Sequence, residues 1–208
     1  LLVNDWRIRF GQGYLPVIYG QLSNYNMRYS TPNESKIAVL RDEQIKGLSL
    51  SKTAMVCNLD LGLIDGDVHF KNKQESGRRF ANAALGLVYG KNTAYKSPIF
   101  KTVRSEGKYL RISFDNAENG LKTSDVKAPK YFAIAGKNEE YFRAEAKIEG
   151  NQVLVWNDNI TQPQFVKYAW ADNPEVNLYS SEGLLLLPFR AEIKMNNKIE
   201  SHGRITNK

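Results

Sequence analysis

The chain has 208 residues, 42% of them hydrophobic and 25% charged, which suits one large packed domain or two small ones. No window approaches the roughly 18 apolar residues of a membrane helix; the densest apolar run, Leu184 to Leu187, stops at Pro188. The net charge of +7 is distributed as 12 basic against 8 acidic residues over 1–95, 13 against 13 over 96–193 and 4 against 1 over 194–208, so there is no dense basic stripe of the kind that grips nucleic acid.

In chain order, Leu1 to Phe10 reads as the end of a helix, closed by Gly11-Gln12-Gly13. This opening has neither Met nor a signal pattern, so a preceding segment is expected, which would also carry any compartment signal. Leu15 to Gln21 is a short strand, and Ser23 to Asn33 a polar loop. Glu34 to Leu48 carries Ile37, Leu40, Ile45 and Leu48 near helical spacing. Thr53 to Leu59 is a buried strand, Asp60 to His69 a loop rich in Gly and Asp, and Asn72 to Tyr89 a helix capped by Gly90. Strand and helix alternating with short connections predict βαβ units and a parallel sheet.

Beyond residue 95 the pattern changes. Ile99–Val103, Tyr109–Phe114, Tyr131–Ala135, Ala144–Ile148, Gln152–Trp156 and Phe165–Trp170 are short strand candidates. Turn signals separate them, Glu149-Gly150-Asn151 being a tight hairpin signal. The expectation is an antiparallel β-sandwich over 96–193, following an α/β region over 1–95 and preceding a polar tail over 194–208.

The single cysteine, Cys57, excludes an internal disulfide. It sits in an apolar run with no His in its own element, and reads as a small buried hydrophobe rather than a thiol nucleophile. Of the two histidines, His202 lies in the tail without an apolar framework. His69 follows a buried strand and precedes a helix, in Asp65-Gly66-Asp67-Val68-His69. In a parallel sheet, the loops leaving the carboxyl ends of the strands line the site. A carboxylate two residues before a histidine can fix the ring's tautomer and favour the imidazolium, as a general base for a serine requires. On spacing alone such a triplet reads first as a solvated turn. A cation site of Asp60, Asp65, Asp67 and His69 is disfavoured because no second His or Cys joins it. Ser23 follows a strand, but reads as a turn residue rather than a nucleophile.

Several stretches together carry a resemblance to a family. Tyr14 to Tyr25, with Gly20-Gln21-Leu22-Ser23-Asn24, resembles a strand that runs into a Gln-Leu-small-Asn-aromatic turn. Leu40-Arg41-Asp42-Glu43-Gln44 is similar to a Leu-Arg-Glu-Ala-Gln helix, and Asp67 to Arg79 to an Asp-Ile-His-Pro-x-Asn-Lys-x-x-x-Gly-x-Arg signature. Tyr168 to Tyr179 and Pro188-Phe189-Arg190 resemble a C-terminal motif. The family is the sialate O-acetylesterases, within the SGNH (Gly-Asp-Ser-Leu-like) hydrolases, and the match runs from about residue 6 to 190.

The resemblance implies the C-terminal part of a three-layer α/β/α esterase domain followed by the β-sandwich. It implies acetyl-ester hydrolysis on sugar hydroxyls through a serine acyl-enzyme, without cofactor or metal. His69 would be the general base and Asp67 its orienter, with Asp65 as the alternative orienter. The family's nucleophilic serine and oxyanion-hole blocks lie upstream, so the partners implied are an acetylated sugar and an N-terminal portion carrying the serine, with no nucleic acid and no membrane span. Export is the expected localisation. Phe70 departs from the family's Pro, which leaves the Val68-His69 backbone freer. The substrate could be acetylated sialic acid or an acetylated plant polysaccharide such as xylan. A non-catalytic sugar-binding β module, with Trp156 and Trp170 as a platform, is the alternative, against which stands packing of both rings into the core.

Overall fold

The structure, a computed structural model, describes residues 2–63 and 67–193. Asp65 and the 194–208 tail, with His202, lie outside the described residues. Helix α1 (Leu2–Phe10) stops where Gly11 turns the backbone to φ +62°, a conformation that costs glycine nothing. Strand β1 (Val17–Gly20) follows, and then helix α2 (Lys36–Lys46), which begins where the Ser35 hydroxyl accepts the Ala38 N–H. A single 3-10 turn at Gly47–Ser49 leads into β2 (Thr53–Val56). Helix α3 (Lys73–Leu87) begins at Asn72, whose side chain accepts the Glu75 N–H at 3.0 Å. It ends with Gly90 at φ +63° and the Lys91 N–H on the Leu85 carbonyl.

Strands β1 and β2 pair in parallel, Val17 with Thr53 through Gly20 with Val56. Because side chains alternate along a strand, β2 serves two cores. Ala54 and Val56 pack with Ala83 and Phe80 of α3. Met55, Cys57 and the following Leu59 enter a second, larger cluster formed with the C-terminal strands.

Those strands are all antiparallel. The first four-stranded sheet joins β3 (Ile99–Glu106), β4 (Tyr109–Asp115), β9 (Gln152–Trp156) and β8 (Glu145–Glu149) in that spatial order. The second joins β12 (Phe189–Glu192), β10 (Phe165–Tyr168), β6 (Phe132–Ala135) and β7 (Tyr141–Arg143). A two-stranded pair, β5 (Leu121–Thr123) with β11 (Leu178–Ser180), lies beside them. Glu149 pairs with Gln152 across the Gly150-Asn151 turn, where Gly150 has φ +66°. One apolar cluster draws on both four-stranded sheets, with Leu110, Ile112, Val153 and Val155 from one and Phe132, Ile134, Val166, Tyr168 and Phe189 from the other. The chain is thus mixed α/β, with a β-rich C-terminal part.

The strand candidates are found with small changes of boundary, but β5, β7, β11 and β12 were not among them. Each is only three or four residues long, too short for a period of two to stand out. Among the described residues, no helix is long and apolar enough to cross a membrane.

Candidate active site

His69 lies between the end of β2 and the start of α3. Asp67 turns back on it: its Oδ1 accepts the His69 backbone N–H at 2.8 Å and lies 2.9 Å from ring Nδ1. The His69 backbone N–H, and then its ring, hold the Asp67 carboxyl below the usual carboxylate range, so it is ionised throughout neutral pH. Both side chains face solvent, the histidine 81% exposed. Phe70 lies under the Lys73 ammonium, 3.7 Å from its ring centre. The structure therefore brings His69 and Asp67 together, with Nδ1 facing the carboxylate.

The other signature residues hold this loop's frame. Glu75 binds Arg78 and Arg79 at 2.7–2.8 Å. Arg79 reaches further, with 2.7 Å bonds to both oxygens of Asp60 and 2.6 Å to the Cys57 carbonyl. Asp60 also accepts the Tyr179 hydroxyl at 3.0 Å. The carboxylate considered for a cation is therefore already bound to a guanidinium. Among the described residues, no group of three or more His, Cys, Asp or Glu is placed to hold a metal. Cys57 is buried and within 3.3 Å of the Gln21 side-chain oxygen, and burial pushes its thiol up to about 12, so it stays protonated at neutral pH.

The Arg78 guanidinium, opposed by partial burial and aided by Arg79, holds the Glu75 carboxyl down at about 2 from an ordinary 4.5. A depressed carboxylate contributes stability that is present above its unfolded value and lost as pH falls through its folded one. Wild-type Tm is therefore expected to fall more steeply between about pH 4.5 and 2 than that of Glu75→Gln. Circular-dichroism melts at stepped pH read the difference, and parallel curves would reject this role of Glu75.

The remaining motifs meet at one joint, which the sequence did not reveal. Arg41 of α2 is fully buried and donates to four carbonyls: Leu22 at 3.0 Å, Ser23 at 2.6 Å, Ala171 at 2.7 Å and Asp172 at 2.8 Å. Burial lowers its guanidinium to about 10, still charged at neutral pH. One turn on, Gln44 accepts the Leu22 N–H at 3.1 Å and donates to the Gly20 carbonyl at 3.4 Å. The Asp172 carboxylate accepts the Ser35 hydroxyl and, at 3.3 Å, the Asn26 amide. Asn24 donates to Asn173 at 2.8 Å. Ala169 enters this turn at φ +51°, a conformation that needs such surroundings to persist. The signal available in the sequence was the quoted stretches themselves, whose polar residues had no assigned partners.

Ser23 serves this joint through its carbonyl, and among the described residues no hydrogen bond connects it to His69. Trp170 is 4% exposed, with the Arg190 guanidinium 4.9 Å from its ring centre, which fits core packing rather than an open sugar platform. Trp156 is half-buried, edge-on to Tyr109 at 5.7 Å.

No protein-family model matches the chain, and neither does any curated protein. Among solved structures, the chain is similar over 91% of its residues to a carbohydrate acetylesterase from Xanthomonas citri, with 32% identity and a TM-score of 0.83, and it spans 44% of that protein's chain.

Proposed function

We propose that this chain is the acid–base portion of a carbohydrate O-acetylesterase, with the nucleophilic serine and oxyanion donors supplied from outside these residues. The Asp67–His69 pair carries the reading: 2.9 Å apart, on the carboxyl side of β2, in a chain 32% identical to a carbohydrate acetylesterase. The SGNH layering belongs to the same proposal. In it, β1 and β2 are part of a larger parallel sheet and the two four-stranded sheets form a sandwich.

With Nδ1 on Asp67, Nε2 of His69 is the nitrogen that takes the proton from the serine as its Oγ attacks the acetyl carbonyl. The imidazolium, stabilised by Asp67, then gives that proton to the departing sugar oxygen. Water, activated by the same nitrogen, hydrolyses the acetyl-enzyme and releases acetate. Acetylated sialic acid is the substrate on the motif resemblance, and acetylated xylan the competitor. Export fits either substrate.

The 208 residues alone are expected to leave an O-acetylated sugar at its buffer rate of hydrolysis, because acyl transfer from an unactivated ester needs nucleophile, base and oxyanion donors in one place. The natural protein that contains this chain together with the serine is expected to hydrolyse it. Release of acetate from 9-O-acetylated sialic acid against acetylated xylan separates the two substrate readings. Turnover by the isolated residues would overturn the division of the machinery and bring Ser23 back as a nucleophile.

A further inference from the structure

We propose that Asn173, which the β-rich part contributes, is a positioning residue for the loop that carries His69, acting through Asn24 and the Gly62–Leu63 backbone; this rests on the esterase reading above. Asn173 is fully buried, with every polar arm engaged. Its amide nitrogen donates to the Leu63 carbonyl at 3.0 Å and the Asn26 carbonyl at 2.6 Å. Its oxygen accepts Asn24 at 2.8 Å and Arg28 at 3.3 Å. Asn24 in turn accepts the Gly62 N–H at 2.5 Å.

These bonds tie three segments to one amide. Residues 21–28 leave the carboxyl end of β1, residues 57–63 leave that of β2, and the turn 169–173 comes from the far side of the chain. The first two are the loops that line a site in a parallel sheet. The contact at Gly62 is close enough to exclude any side chain, since an added Cβ would lie 1.6 Å from the Asn24 carbonyl oxygen. The sequence therefore needs glycine here for the approach, not for its torsion.

The consequence for His69 is a matter of chain length. Asp60 is fixed by Arg79, and Asn72 by the start of α3. Pinning Gly62 and Leu63 as well limits where the chain can enter the Asp67–His69 turn and removes conformations in which the pair points elsewhere. A catalytic group displaced by about 1 Å can lose about 10²-fold in rate, so an anchor of this kind acts on turnover rather than on substrate binding. It also makes the β-rich part a brace of the acid–base loop, which a separable sugar-binding module would not be.

The test is Asn173→Ala in the serine-containing protein, with Val166→Ala, a truncation of the fully buried β10 core, as the control for lost stability. Asn173→Ala is expected to lower kcat by about 10²-fold with KM little changed, while Val166→Ala lowers Tm without that loss. In the present chain, the same variant is expected to lose hydrogen-exchange protection at the Gly62 amide and to shift the ring signals of His69 in nitrogen-15 spectra. If Asn173→Ala does not fold, Asn24→Ala removes the Gly62 bond and leaves Asn173's bonds to Leu63 and Asn26 in place, with the same expectations. Unchanged Gly62 protection and His69 signals, or a kcat equal to that of the control, overturn the positioning role. An inactive wild-type protein overturns the esterase reading instead, so the two failures are read in different measurements.

Discussion

Replacing His69 by alanine in the serine-containing protein is expected to lower kcat by about 10⁴-fold or more while leaving Tm within a degree or two. The separation of the two effects follows from the geometry. The ring is 81% exposed and its bond is to Asp67, two residues away, so the fold loses little when it goes. Exposed substitutions of this kind change stability by no more than about 0.5 kcal/mol. Catalysis, in contrast, loses the one group that in the proposed mechanism both removes the serine proton and returns it to the sugar oxygen. Asp67→Asn should follow with a loss of about 10³- to 10⁴-fold, because an amide facing Nδ1 no longer favours the tautomer that leaves Nε2 bare, nor stabilises the imidazolium. Steady-state kinetics beside thermal melts check both. A near-normal rate in His69→Ala would remove it from the mechanism, and a near-normal rate in Asp67→Asn would leave His69 with a different orienter.

Arg41→Ala is expected to produce the largest loss of stability in the chain, about 4 kcal/mol or more, since each buried group left without its partner costs about 1–3 kcal/mol. Four carbonyls lose their donor at once: two in the turn after β1 and two in the 169–173 turn of the β-rich part. For a chain of this size that corresponds to a Tm drop of roughly 10 °C. Arg41→Lys should recover less than half of it. An ammonium keeps the charge but is a compact point donor, whereas the planar guanidinium spans carbonyls on two segments. Because the residue joins the α/β elements to the β-rich part, its loss should also relax the His69 loop. Chemical denaturation read by tryptophan fluorescence would show the change, and a lysine variant as stable as wild type would show that charge, not the fork, is what matters.

Much of this protein is written locally. Glycine at Gly11, Gly90 and Gly150 marks where the backbone must go left-handed. The Asp67-Val68-His69 pairing is likewise a short-range fact, because a carboxylate two residues before a histidine can reach both its N–H and its ring. Those features rest on contacts within a few residues and can be read from the order of amino acids. The short strands β5, β7, β11 and β12 could not be, since three or four residues carry too little periodicity, and the partners of β5, β11 and β12 are remote in sequence. The same holds for Arg41 and Asn173. An arginine on a helix of modest polarity and an asparagine in a turn look solvated in isolation. Only the fold brings Asp172 and Asn173 within reach of residues more than a hundred positions earlier, and burial then obliges every donor and acceptor there to find its partner.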